Sequence, residues 1–229
     1  DVLKEKNIKV LLVSFPHNPT TISVDQQFYD ELILLAKTYD FLVINDFAYS
    51  DVFFTNTRPP SLLKSDKDLT HSVELYSLTK GYSMAGWRVG FALGNKDAIG
   101  SLTKLKSYID YGTFQPIQIA STVALNDLAE FPIEVSSIYR ERQQIVVEQL
   151  NKVGFEVQES NETMFVWAKL PRKYGTDSLK FSLQLLEEFN VAVSPGVGFG
   201  EFGEGYIRIA LVENKHRIRQ AMKNLQKIE

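Results

Sequence analysis

The 229-residue sequence predicts an α/β fold, a largely parallel sheet followed by a small C-terminal α+β domain. Three observations lead there. Short, mainly apolar runs alternate with helical or irregular segments through the first part of the chain, as buried parallel strands do. Ile133 to Val153 is a long charged helix of the kind that bridges two domains. Beyond it, short strands and helices mix. The expected division is residues 1–136 and residues 137–229.

The elements follow in order. Asp1 to Lys6 reads as a short helical stretch that leads at once into a strand, unlike the start of a domain, and implies a segment upstream. Val10 to Phe15 is nearly continuously apolar and breaks at Pro16-His17-Asn18-Pro19, which predicts a buried strand and a turn. Val24 to Tyr39 has helical periodicity, with Phe28, Leu32, Leu35 and Ala36 on one side. Phe41 to Ile44, Val73 to Thr79 and Trp87 to Leu93 are the next strands. Helices are expected over Asp97 to Tyr108 and Pro116 to Leu128. In the second part, strands are expected at Phe155 to Gln158, Thr163 to Leu170, Val191 to Ser194 and Tyr206 to Leu211. Helices are expected at Ser178 to Phe189 and Lys215 to Ile228.

Composition narrows the function. A formal charge of -3, with lysines and arginines scattered, gives no electrostatic support for nucleic-acid or membrane-surface binding. The absence of cysteine excludes disulfides, cysteine nucleophiles and Cys-zinc sites. His17, His71 and His216 lack metal-ligand spacing, so no metal is expected. No apolar run approaches the roughly 20 residues of a membrane span, and no secretory signal opens the chain. A soluble cytoplasmic enzyme is the expectation.

In a parallel α/β sheet, ligands collect outside the carboxyl ends of the strands. Three expected strands place polar residues there: Asn18, then Asp46 and Tyr49, then Ser77, Thr79 and Lys80. Singly, each has an ordinary explanation. Asn18 before Pro19 suits a turn, Asp46 suits a helix N-cap, and Lys80 suits a solvated surface. Their coincidence at one edge points to chemistry. Arg88 lies shortly beyond Lys80, and Arg208 sits in an alternating strand. A strand arginine is usually solvated, but the guanidinium also grips phosphate or carboxylate with two prongs. Together these groups suit an anionic, carbonyl-bearing cofactor and a carboxylate substrate. Gly198 to Gly203 matches the dinucleotide pattern GxGxxG, but that motif needs a helix after it and a strand is expected here.

The segment Ser77 to Phe91, SLTKGYSMAGWRVGF, resembles the cofactor-lysine segment of class I/II aminotransferases, the fold type I enzymes of pyridoxal 5'-phosphate (PLP). Asn18-Pro19-Thr20, Asp46 to Tyr49, Pro195 to Gly200 and Tyr206-Ile207-Arg208 resemble further motifs of that family, in its order. Lys106 to Phe114 and Met164 to Pro171 look most like the branch of alanine and LL-diaminopimelate aminotransferases. The resemblance implies a partial PLP-binding large domain over 1–136 and a small domain over 137–229. It implies that Lys80 holds the cofactor and moves the substrate proton, and that Asp46 pairs with the pyridine nitrogen. Tyr49 and Asn18 would bond the ring's phenolic oxygen. Ser77, Thr79 and Arg88 would hold the phosphate, Arg208 would grip the substrate α-carboxylate, and Asn18 would also contact the substrate. Tyr111 and Thr113 lie where family members reach a neighbouring subunit, which implies a homodimer.

The implied reaction is transamination between an α-amino acid, alanine or glutamate, and a 2-oxo acid. A PLP-dependent β-lyase uses nearly the same constellation, and a PLP-sensing regulator fuses such a domain to a DNA-binding head. Both stay open as alternatives. Two departures stand out. Thr21 occupies the family's glycine position, and the chain begins partway through the large domain, without the segment that carries a glycine-rich phosphate loop and the ring stacked on PLP.

Overall fold

A computed structural model describes Leu3 and residues 7–157 and 159–228. Leu3 aside, the helical reading of Asp1 to Lys6 lies outside the described residues, as does Gln158. The chain divides into two compact units, one of Asp1–Pro16 with Ile22–Val135, the other of His17–Thr21 with Ser136–Glu229.

The first unit is built on a four-stranded sheet in the order β1 (Val10–Ser14), β2 (Leu42–Asp46), β3 (Ser72–Ser77), β4 (Gly90–Gly94). The first three strands are parallel and β4 runs antiparallel to β3. The connection over residues 78–89 is taken up by a four-residue helix and a 3₁₀ turn and carries no covering crossover helix, so the chain turns back beside the strand it left. Ser14, Asp46 and Leu75 stand level across β1 to β3, and Ser77 stands opposite Gly90. The ends of three strands and the start of the fourth therefore share one edge.

Helix α1 (Gln26–Tyr39) is capped by Asp25, whose carboxylate accepts the Phe28 amide at 2.9 Å. It ends where Asp40 turns left-handed. Its buried face is Tyr29, Leu32, Ile33 and Ala36, at the i, i+3, i+4, i+7 spacing of one stripe. The sequence predicts Phe28 and Leu35 on that face, but both are exposed. Apolar residues occupy two overlapping stripes, and periodicity alone does not choose between them. The choice is made by Phe41, Val43 and Leu62, against which Tyr29 and Ile33 pack. Burying each such side chain contributes roughly 1.5–3 kcal/mol.

Between β2 and β3 the sheet buries a polar network. Asn45 Nδ2 donates to Glu74 Oε2 at 3.2 Å, and Glu74 also accepts from Ser61 Oγ and the Leu62 amide. Burial pushes the Glu74 carboxyl above its ordinary pKa, against the pull of these three donors. The sequence predicts β3 to run on to Thr79. It stops at Ser77, whose hydroxyl accepts the Thr79 amide at 3.2 Å and caps a short helix, α2 (Leu78–Gly81). Two longer helices follow, α3 (Lys96–Ile109) and α4 (Gln115–Asp127).

Helix α5 (Phe131–Lys152) contains the division between the units, at Val135 and Ser136. The second unit has an antiparallel sheet in the order β5 (Glu156–Val157), β6 (Phe165–Lys169), β8 (Tyr206–Ala210), β7 (Ser194–Pro195). With it go α6 (Ser178–Phe189) and α7 (Lys215–Leu225). Leu150, Leu185, Ile207 and Leu211 are fully buried in its core. The expected strand over Val191 to Ser194 shrinks to Ser194–Pro195. Val191 instead closes α6: after left-handed Asn190, its amide returns to the Leu185 carbonyl at 3.0 Å. Residues 196–203 form two short 3₁₀ turns before β8, not the helix a dinucleotide fingerprint requires.

Candidate active site

The carboxyl edge of the first sheet gathers most of the predicted residues. Asp46 is the last residue of β2, with its side chain exposed. No helix follows it, so it is not an N-cap; its Oδ1 accepts the Ala48 amide at 3.1 Å, an Asx turn that holds the carboxylate at the strand end. Tyr49 follows in that turn and is buried. Two residues beyond the Leu75 level, Ser77 ends β3 and starts α2.

Helix α2 explains how Lys80 is presented. Leu78 and Tyr82, four apart, are buried against Ala124 of α4. Thr79 and Lys80 fall between these anchors and stay partly exposed. The Lys80 ammonium stands 5.8 Å from the centre of the Tyr49 ring. Arg88 is reached through the 3₁₀ turn Ala85–Trp87 and is itself left-handed, with φ 52°. Its Nη1 donates to the Ala85 carbonyl at 3.3 Å, and the guanidinium is exposed. The Ser77 hydroxyl reaches the Val89 carbonyl at 3.5 Å, so Arg88 enters β4 at the edge where β3 ends. An amine, a carboxylate, two hydroxyls and a guanidinium thus share one edge.

The remaining predicted residues meet in the second unit. Arg208 on β8 donates from Nη1 to Asn18 Oδ1 at 2.6 Å and from Nη2 to Ser194 Oγ at 3.2 Å. Its guanidinium lies over the Phe165 ring at 4.4 Å and the Phe199 ring at 4.5 Å. Two rings and two polar partners fix both the plane and the rotation of the group. The Asn18 turn closes through the Thr21 amide on the His17 carbonyl at 2.9 Å, and the Ser160 hydroxyl donates to the Thr21 carbonyl at 3.3 Å. Thr21 has φ 62°, which is why a glycine suits that position.

Residues 1–225 match the family model described as aminotransferase class I and II. The chain belongs to the class I and II aminotransferases. It is 47% identical over 218 residues to the putative aminotransferase AatC of Rhizobium meliloti strain 1021, covering 95% of this chain and 54% of that one. It is 40% identical over 219 residues to the glutamate-pyruvate aminotransferase AlaC of Escherichia coli K12, covering 95% and 53%. Among solved structures it is similar to substrate-bound BacF from Bacillus subtilis (TM-score 0.92, 33% identity, covering all of this chain and 57% of that one). It is likewise similar to a probable N-succinyldiaminopimelate aminotransferase from Thermus thermophilus (TM-score 0.90, 35% identity, covering 99% and 60%). The chain spans about half the length of the curated relatives it matches. The α/β fold is thus that of this aminotransferase family.

Family members depend on PLP, and the donor set at the first sheet's edge suits it. The amine can bond an aldehyde, the carboxylate matches a ring nitrogen that carries a proton, and the guanidinium and hydroxyls match a phosphate. Sequence reasoning missed Phe165 and Ser194 as partners of Arg208. Phe199 lay in a recognised motif, but nothing in the motif shows which side chain its ring covers.

Proposed function

We propose that this chain is the cofactor-lysine-bearing part of a cytoplasmic, homodimeric PLP-dependent aminotransferase. It would move an amino group between an α-amino acid, alanine or glutamate, and a 2-oxo acid. The observation that carries the reading is the gathering of Asp46, Ser77, Lys80 and Arg88 at one sheet edge, beside buried Tyr49. PLP supplies an aldehyde that takes up the amino group and a ring that spreads the negative charge left when the substrate Cα loses its proton.

The chain's own residues do the rest. Lys80 holds the cofactor and then serves as the base and acid at the substrate Cα. The Asp46 carboxylate keeps the pyridine nitrogen protonated, and its Asx turn keeps it aimed. Tyr49 bonds the ring's phenolic oxygen, while Ser77, Thr79 and Arg88 take the phosphate. Arg208 takes the substrate α-carboxylate, a role supported by its clamped, planar guanidinium. The first unit then serves as the cofactor domain and the second as the small domain.

The full-length protein, mixed with PLP, should show a visible absorbance band that shifts on adding alanine or glutamate. Borohydride reduction and peptide mapping should place the pyridoxyl label on Lys80; a label on another lysine would sink the assignment. The homodimer is supported by the exposure of Tyr108, Ile109, Tyr111 and Phe114 around the end of α3, more apolar surface than one segment usually leaves to water. Sedimentation should give a dimer at micromolar concentration, and a fully active monomer would refute it.

A further inference from the structure

Asp51 has no part in the roles above, yet it is a carboxylate only 3% exposed. It follows Tyr49 by two residues, and its groups reach both sides of the turn that carries Lys80. One oxygen, Oδ1, accepts from Arg58 Nη1 at 2.7 Å. The other accepts from the hydroxyl of Tyr76, the residue before Ser77 on β3. On the far side of Lys80, a Cβ built on Gly81 would stand 2.4 Å from the Asp51 Cβ. Asp51 therefore lies directly against the Gly81 backbone, and residue 81 has no room for a side chain. Burial and the Asp51 carboxylate together raise the pKa of the Tyr76 phenol, so it remains a donor. Half-exposed Arg58 supplies the opposite charge that a buried carboxylate needs.

We infer that Asp51 is a positioning residue for Lys80: held by Tyr76 and Arg58, it braces the Gly81 backbone and so sets where the Lys80 amine stands. It acts through Tyr76 and Gly81, not on the cofactor. The inference rests on Lys80 as the cofactor lysine.

The test compares three variants of the full-length holoenzyme. Asp51→Asn keeps the shape and removes the charge. Tyr76→Phe removes one hydroxyl and leaves the ring stacked on Phe91. Glu74→Gln disturbs a buried network of the same sheet away from Lys80. All three should lower the melting temperature. The separating readouts are the cofactor's visible circular dichroism, which arises because the protein holds an achiral ring in one orientation, and the rate of cofactor loss on dilution. Asp51→Asn should lose cofactor roughly tenfold faster and show a dichroism per bound cofactor about half that of the parent. Tyr76→Phe should move both the same way by less, and Glu74→Gln should move neither. Parent-like dichroism and retention in Asp51→Asn and Tyr76→Phe would reduce Asp51 to a structural support and overturn the inference. So would equal changes in Glu74→Gln. Should Asp51→Asn fail to fold, Gly81→Ala pushes the same contact from the other side and should give the same two changes. A parent that takes no borohydride label at Lys80 overturns the site reading and this inference together. A labelled parent with unaffected variants overturns this inference alone.

Discussion

The two units hold their functional groups in opposite ways. In the first, Asp46 and Arg88 are exposed and fixed by the backbone: one by an Asx turn at a strand end, the other by a left-handed residue after a 3₁₀ turn. In the second, one arginine is held by four side chains from three separated places in the sequence: Asn18, Phe165, and Ser194 with Phe199. Backbone-held groups leave their other faces to a ligand, which suits a cofactor bound through many contacts. A side-chain clamp presents a single group in one orientation, which suits a substrate recognised by one carboxylate. If the first unit's groups serve the chemistry and the second unit's arginine serves recognition, as proposed, substitutions on the two sides should differ in kind.

The largest effect belongs to Lys80. Lys80→Ala in the full-length enzyme should lower the turnover of alanine with a 2-oxo acid by roughly 10⁴-fold, because it removes both the covalent hold and the proton carrier. A steady-state assay measures it, and turnover within tenfold of the parent would overthrow the reading of the first unit. Asp46→Ala comes next. Losing the partner of the pyridine nitrogen should cost roughly a hundredfold or more in turnover, the loss expected when one group that stabilises developing charge is removed. Because the Asp46 side chain is exposed, the melting temperature should move little. A well-folded Asp46→Ala enzyme with near-normal turnover would contradict the role.

How much of this was legible in the sequence follows the same division. Lys80, Ser77 and Arg88 lie within a dozen residues, and their positions come from local turns, so a contiguous motif carries them. The sheets and most helices were legible from apolar runs and helical periodicity. The face of α1 was not, because Tyr29 and Ile33 are chosen by Phe41, Val43 and Leu62 and not by their own spacing. Nor was the end of β3, where the Ser77 cap cuts the strand short of Thr79. Least legible was the Arg208 clamp. Phe165 is level with Ala210 in the sheet register, two residues along from Arg208, and no local pattern announces such a contact. Asp51 was invisible for the same reason, since its partners lie at 58, 76 and 81.

The two arginines put the contrast to a direct test. Arg208→Lys keeps the charge but loses the planar fork. It should raise the KM for every amino-acid and oxo-acid substrate by roughly tenfold or more, the equivalent of one charge-assisted hydrogen bond, with PLP affinity nearly unchanged. Arg88→Lys should do the reverse, weakening PLP binding first. Titration of PLP beside substrate kinetics separates the two. Release of PLP by Arg208→Lys, with normal substrate binding to the remaining holoenzyme, would show that the two jobs are wrongly divided. Phe199→Leu should act in the same direction as Arg208→Lys but more weakly, about threefold in KM, since it loosens one face of the clamp and leaves the charge.

The smallest effect concerns Thr21, in the turn that presents Asn18 to Arg208. At φ 62° a β-branched residue is strained, and the left-handed conformation costs an ordinary L-residue roughly 1–2 kcal/mol. Glycine removes that strain but loses roughly 0.5–1 kcal/mol more conformational freedom on folding. The balance favours glycine by a fraction of the strain, so Thr21→Gly should stabilise the protein by about 0.5–1 kcal/mol in a urea titration. The turn's bonds run through the Thr21 amide and carbonyl, which glycine keeps, so the KM for amino acids should not change. Thr21→Ala removes the branching without freeing the backbone, and should fall between parent and glycine variant. A less stable Thr21→Gly protein would mean that the threonine side chain supports the turn by more than its backbone strain costs. The preference for glycine here would then have to come from something other than φ.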